Sequence, residues 1–181
     1  VVIATDNKKT VKVASNLGIK NIIIRPKYLS ENYIDEADIL SFILHKLKKT
    51  NKENYDLVVC LKETYPFRSH EVIDDMIEKI SKTNLDTILA CKEERRAIWI
   101  SDNKNIKLAD EGVMPRKFKK EKTHISLAGY CYITHPYMIE NSSIFSGLLG
   151  IYPIKDSLEG LEIKDGVTSN KYLKSIINLG E

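Results

Sequence analysis

A chain of 181 residues with 28 basic and 25 acidic side chains carries a net charge of +3, too mild a surplus to mark a nucleic-acid surface. Its hydrophobic content of 43% is that of an ordinary globular domain, and no apolar run approaches the ~20 residues of a membrane span, so one soluble domain without a membrane partner is expected. The three cysteines, Cys60, Cys91 and Cys131, lack Cys-x-x-Cys spacing and have no matching arrangement of His45, His70, His124 and His135, which argues against a zinc site and points to buried free thiols in a reducing cytoplasm.

The chain opens at Val1 rather than Met, so a fragment, a processed chain or an incomplete sequence is expected, and because the first residues read directly as a strand no signal peptide is expected. Val1 to Ala4 is the first predicted strand, and Thr5-Asp6-Asn7 turns into a helix with Val11, Ala14 and Leu17 inward, ended by Gly18 at C′. Asn21 to Ile24 is a second strand, closed by Arg25-Pro26, and a loop over Lys27 to Ile34 leads to a helix from about Asp35 to Lys49. Val58, Val59, Cys60 and Leu61 then form a short apolar run, read as a buried parallel strand. It enters the turn Lys62-Glu-Thr-Tyr-Pro-Phe-Arg68, after which Ser69 caps a helix with Val72, Ile73, Met76, Ile77 and Ile80 inward. Leu85 to Cys91 is another apolar strand, and this alternation implies an α/β fold with a mostly parallel sheet.

The pattern changes after Lys92. A charge run over Lys92 to Arg96 precedes a short strand at Ala97 to Ile100, a turn at Asp102-Asn103 and a hairpin partner at Ile106 to Leu108. A basic stretch over Arg116 to Lys122 follows, so residues from about 97 to 124 read as a small β-rich excursion. Strand character resumes over Ile125 to Thr134, Ser146-Gly147 to Ile154 reads as turn and strand, and Asn170 to Leu179 as a terminal helix.

Ligands of open α/β sheets bind beyond the carboxyl ends of strands, which makes the Lys62 to Arg68 turn the leading candidate site. Arg68 at a helix start reads either as an anion clamp or as a surface arginine paired with a nearby acid. Asp6 reads first as a helix cap and second as a ligand or metal contact. Asp156, Glu162 and Asp165 read first as solvated turn acids and second as oxygen ligands for a divalent cation. The basic stretch over Arg116 to Lys122 is either a solvated loop or a phosphate or carboxylate contact. No Ser-His-Asp or Cys-His order and no Gly-rich phosphate loop is present, so spacing alone names no catalytic residue.

Read in order, the landmarks resemble the CMP-sialic acid synthetase (acylneuraminate cytidylyltransferase) family. Val2-Ile-Ala-Thr-Asp-Asn7 resembles that family's strand ending in Ser-Thr-Asp-Asp, and Gly18 with Ile24-Arg-Pro26 its Gly-Ala … Arg-Pro segment. Leu61-Lys-Glu-Thr-Tyr-Pro-Phe-Arg68 stands where the family has Leu-Gln-Pro-Thr-Ser-Pro-x-Arg, and Ala128-Gly-Tyr-Cys-Tyr132 where it has Asn-Gly-Ala-x-Tyr. The resemblance implies a three-layer, Rossmann-like nucleotidyltransferase fold, with residues 97–124 as a dimerisation excursion. It also implies transfer of CMP from CTP to an acidic, nonulosonic-type sugar, with Mg²⁺ as cofactor and a homodimeric state. By residue-wise carry-over Lys62, Thr64, Tyr65, Arg68, Gly129 and Tyr132 line the sugar side, Arg116 reaches the acid sugar from the excursion, and Asp6 lies on the nucleotide side. The family's N-terminal CTP loop aligns upstream of Val1, and Glu162-Ile163-Lys164 stands where the family has Asp-Ile-Asp with a metal-binding Asp. Lys164 opposes a cation there, which leaves Asp165 as the candidate metal ligand. A non-catalytic homologue that binds a sugar or nucleotide, or serves as a dimer partner, is the alternative expectation.

Overall fold

The structure, a computed structural model, describes residues 1–31, 33–51, 54–102, 105–109 and 123–163. The basic stretch over Arg116 to Lys122, Asp165 and the helix expected over residues 170–179 lie outside these described residues. The elements in chain order are β1 (Ile3–Thr5), α1 (Lys8–Asn16), β2 (Ile22–Ile24), a 3₁₀ turn (Lys27–Ser30), α2 (Glu36–Asn51), β3 (Val58–Cys60), α3 (His70–Ser81), β4 (Thr87–Glu94), β5 (Trp99–Ser101), β6 (Ile106–Leu108), β7 (Thr123–Ser126), β8 (Tyr132–Thr134), α4 (Pro136–Glu140) and β9 (Leu149–Pro153). The chain divides into two compact units, residues 1–58 with 134–146 and residues 59–133 with 147–181.

In the first unit β1 and β2 pair in parallel, Ile3 against Ile22 through Thr5 against Ile24, with α1 as the crossover. The cap of α1 is Asn7, whose side chain accepts from the Lys9 N–H at 2.8 Å, and not Asp6, which pairs with Arg25 at 3.6 Å. Two adjacent Asx residues compete for that role, and the one whose oxygen faces the N2 amide takes it. Gly18 follows the helix at φ 76°, and the amides of Gly18 and Ile19 close on the carbonyls of Ser15 and Ala14, as expected for a left-handed C′ residue. Asp35 accepts from the Ala37 amide at 3.0 Å and starts α2, which buries Ala37 and Leu44. The short helix α4 was not anticipated from sequence. Pro136 opens it with a preset φ, Met138 and Ile139 are buried, and Lys48 of α2 reaches Glu140 at 2.9 Å.

The second unit carries a five-stranded sheet in the order β3-β8-β4-β7, with β9 also on β4; the end residues Val58 and Thr134 are assigned to the first unit. Strand β4 is its axis. Thr87 to Cys91 are all buried, the mark of a strand covered on both faces, and Ile88 and Ala90 are wholly excluded from solvent. It is longer than expected and runs through the charge run to Glu94, because Glu93 and Glu94 pair in register with His124 and Thr123 of β7. β9 runs parallel to β4 and β7 antiparallel to it. The sheet is therefore mixed, a correction to the mostly parallel arrangement expected. An apolar run signals a strand but not its direction, and β7 returns along β4 as a reversal rather than a crossover. The expected single strand over Ile125 to Thr134 is likewise broken into β7 and β8 by the turn at 127–131. β3 stands at the end of the strand order, and Val59 is exposed rather than buried.

Helix α3 follows the expected pattern. Ser69 caps it by accepting from the Glu71 amide at 3.1 Å, and Met76 and Ile80 are buried. The hairpin of β5 and β6 is antiparallel, closed by Asp102 accepting from the Asn105 amide at 2.9 Å. It leaves Trp99, Ile100 and Ile106 exposed.

The entry to β9 is held by Gly147 at φ 71°, where an added Cβ would lie 2.3 Å from Asp86 Oδ2. That same oxygen accepts from the Leu148 amide at 2.7 Å, so it is not free to retreat. Gly147→Ala is expected to cost about 1–3 kcal/mol in unfolding free energy, read by chemical denaturation, through backbone strain and displacement of Asp86. An unchanged midpoint would show that the turn relaxes without cost.

Candidate functional site

The turn beyond β3 is held against the segment before β8 by backbone and side chain together. The Lys62 amide donates to the Gly129 carbonyl at 2.8 Å. Arg68 turns inward across the same junction: its Nη2 donates to the Lys62 carbonyl at 2.6 Å and to the Gly129 carbonyl at 3.0 Å. Its guanidinium carbon lies 5.4 Å from the centroid of the Tyr130 ring, a cation–π contact. Burial pushes the Arg68 pKa down, opposed by the polar groups of Cys131, Tyr130 and Tyr65 around it. Of the two readings of Arg68 from sequence, neither describes its principal contacts, which are main-chain carbonyls.

Tyr130 is wholly buried and was not among the residues singled out from sequence. Its hydroxyl accepts from the Ser69 amide at 3.2 Å and donates to Glu159 Oε2 at 3.4 Å, so it touches the start of α3 and the loop after β9 at once. Tyr65 meets it edge to face, with centroids 5.7 Å apart and planes at 75°. Burial raises the pKa of both phenols, reinforced at Tyr65 by Glu162 and opposed at Tyr130 by the Ser69 N–H. Thr64 closes the cluster: its carbonyl accepts from the Ile163 amide at 2.8 Å and its hydroxyl donates to Glu162 Oε1 at 3.4 Å.

Lys62, Thr64, Tyr65, Arg68 and Gly129 are thus brought to one strand end. Lys62 and Glu63 face solvent, Thr64 is half-buried and Tyr65 is buried at 4% exposure. Tyr132 is fully buried within β8. Asp6 belongs to the first unit, where the Ser30 hydroxyl, the local backbone and Arg25 hold its carboxyl below the ordinary range. Arg116 and Asp165 lie outside the described residues. Tyr130, Glu159 and the carbonyl of Gly129 are the participants that sequence reasoning missed; the Tyr-Cys-Tyr alternation at 130–132 was the available signal for Tyr130.

Two surface grooves lie elsewhere. One of about 360 Å³ is lined by Asp75, Glu78, Lys79, Lys82, Thr83 and Tyr152, and one of about 190 Å³ runs from the start of α2 to Ser146. In the first, Tyr152 donates to Asp75 at 2.6 Å, and that bond, with burial behind it, pushes the phenol up to about 12. A raised phenol pKa favours the neutral form in the fold, so its stabilisation is complete below about 10 and is lost as pH rises toward about 12. Denaturation between pH 9 and 12 is expected to show a steeper loss for the parent protein than for Tyr152→Phe; parallel curves would remove Tyr152 from the account.

The cytidylyltransferase family model matches residues 1–123 of the 181. Two pseudaminic acid cytidylyltransferases of Campylobacter jejuni subsp. jejuni, from serotypes O:2 and O:23/36, are 26% and 25% identical over 115 residues, covering 61% of this chain. The chain spans about half the length of these curated relatives, 49% of each. Among solved structures, it is similar to a CMP:2-keto-3-deoxy-manno-octonic acid synthetase complexed with CTP, at TM-score 0.67 and 12% identity over 100% of this chain and 81% of that one. A 4-diphosphocytidyl-2C-methyl-D-erythritol synthase from Anaerococcus prevotii matches at TM-score 0.59 and 12% identity, over 99% of this chain and 79% of that one. At these identities the structural matches speak for the fold, an α/β nucleotidyltransferase fold.

Proposed function

Because the chain belongs to the cytidylyltransferase family, we propose that the protein transfers CMP from CTP to an acidic sugar of the nonulosonic type. The observation that carries this reading is the turn over Lys62 to Arg68, locked to Gly129 and Tyr130 at the carboxyl end of β3, where α/β sheets take their ligands. The pseudaminic acid relatives supply the acidic-sugar class.

In the reaction a hydroxyl oxygen of the sugar forms a bond to the α-phosphorus of CTP. The bond from that phosphorus to the bridging oxygen breaks, pyrophosphate leaves, and the hydroxyl proton passes to solvent or a base. What this chain contributes at the acceptor side is position. Arg68 and Tyr130 hold the turn rigid against the strand, so that Lys62, Glu63 and Thr64 present side chains at a fixed distance from the sheet. Bound Mg²⁺ would offset the charge of the triphosphate. Among the described residues no three carboxylate, imidazole or thiolate groups converge into an all-protein metal cage, and a Mg²⁺ shared with the triphosphate requires only one or two carboxylates. The exposed β5–β6 hairpin, with Trp99, Ile100 and Ile106 outward, supports a homodimer in which this excursion meets a second copy. The free thiols support a reducing compartment, the cytoplasm.

The test is synthesis by the full-length protein given CTP, Mg²⁺ and a panel of nonulosonic acids, with CMP-sugar and pyrophosphate both measured. Equimolar release of the two supports the proposal. CTP or sugar binding without turnover of any acid would replace the enzyme with a binding module.

A further inference from the structure

We infer that Tyr65 is a specificity-determining residue: its ring fills the floor of the acceptor side and limits the bulk of the sugar substituent directed toward Gly129. This rests on the acceptor-side reading of the turn given above.

Tyr65 is the most deeply buried residue of the turn, although its neighbours Glu63 and Pro66 are exposed. The ring is wedged from two sides. A Cβ placed on Gly129 would come within 2.9 Å of Tyr65 Cε2 and 3.4 Å of Lys62 Cδ, so the ring lies directly over the glycine backbone. Its edge-to-face contact with Tyr130, at 5.7 Å, closes the other side. The backbone beneath it is fixed, since Thr64 O accepts from the Ile163 amide, and Glu162 stands against the phenol. The ring therefore cannot swing away cheaply, and the room at this strand end is occupied by a side chain rather than left as a cleft.

A small residue at position 65 would leave Gly129 uncovered and open a recess bounded by Lys62, Gly129 and Tyr130. A rigid apolar wall discriminates by size, and one methylene in such a pocket is worth roughly 10–200-fold. Wedged aromatic walls act through volume, so the phenol oxygen is not required.

The experiment compares kcat/KM for two acidic sugars that differ only by two methylenes in one acyl group, with CTP and the full-length protein. The parent is expected to prefer the shorter acyl group by at least about 10-fold. Tyr65→Ala is expected to reduce that preference at least about 10-fold, and Tyr65→Phe to retain it. A general loss of folding lowers both rates and leaves their ratio, so the ratio separates a wall from a merely structural residue. Should Tyr65→Ala fail to fold, Tyr65→Leu is read in the same way. A folded small variant with the parent ratio, or a Phe variant that shifts as far as the small one, overturns this inference while turnover persists. Absence of turnover of any acid by the parent overturns the acceptor reading and this inference with it.

Discussion

Tyr130→Ala is expected to lower the unfolding free energy by about 3–5 kcal/mol, the cost of deleting a fully buried aromatic ring. For a chain of this size that is a fall of roughly 6–20 °C in the calorimetric midpoint. Three contacts disappear at once: the edge-to-face partner of Tyr65, the ring beneath the Arg68 guanidinium and the hydroxyl between Ser69 and Glu159. Tyr130→Phe separates them, because it keeps the ring and deletes only the hydroxyl. Its expected cost is about 0.5–2 kcal/mol, with the Ser69 amide losing a side-chain acceptor. A Phe variant as damaged as the Ala variant would place the stabilisation in the hydroxyl and not in packing.

Arg68→Ala ranks second, at about 2–4 kcal/mol. Hydrogen bonds from a charged donor contribute about 1.5–3 kcal/mol each, and here one nitrogen serves two carbonyls, so the two do not add in full. The substitution also leaves the Lys62 and Gly129 carbonyls short of that donor. Arg68→Lys is expected to recover less than half, since an ammonium on a flexible stem does not reproduce a planar guanidinium stacked on a ring. The Arg68–Tyr130 contact itself is measured by a double-mutant cycle with Arg68→Ala and Tyr130→Phe or Leu, with a coupling of about 0.5–2 kcal/mol expected for the Leu arm. Full recovery of stability by Lys would mean that charge alone, and not geometry, holds the turn.

What could be read from sequence divides along the range of the interactions. Helix α3 and its Ser69 cap were legible because cap, period and apolar face all lie within twelve neighbouring residues. The Gly18 terminus of α1 and the Asp102 hairpin turn were legible for the same reason. Sequence alone puts the cap of α1 one residue early, since Asp6 and Asn7 carry the same local signal and only the geometry of the N2 amide tells them apart. Helix α4 was lost because five residues show too little period, leaving Pro136 as its sole mark. Strand direction is a property of the connection, so the antiparallel return of β7 was not in its residues.

The site shows the same division. The Lys62 to Arg68 turn stood out because polar, aromatic and cationic residues crowd around one proline at a strand end. What Arg68 does there was hidden, because its partners are carbonyl oxygens, which every residue has and no side-chain pattern reports. Tyr130 was hidden by its setting in a strand-like run, where a buried tyrosine reads as core until its hydroxyl is seen between Ser69 and Glu159.

The bond from Arg68 to Gly129 joins residues 61 apart in sequence. Closing a loop of that length costs roughly 3–4 kcal/mol of chain entropy before any contact across it is gained. During synthesis the turn therefore emerges long before the carbonyl that locks it, and α3 is made while its neighbouring strand end is still loose. The Lys62 amide, bonded to the same Gly129 carbonyl, is a clock for that event: its protection from hydrogen exchange should appear only in nascent chains that extend past Tyr130.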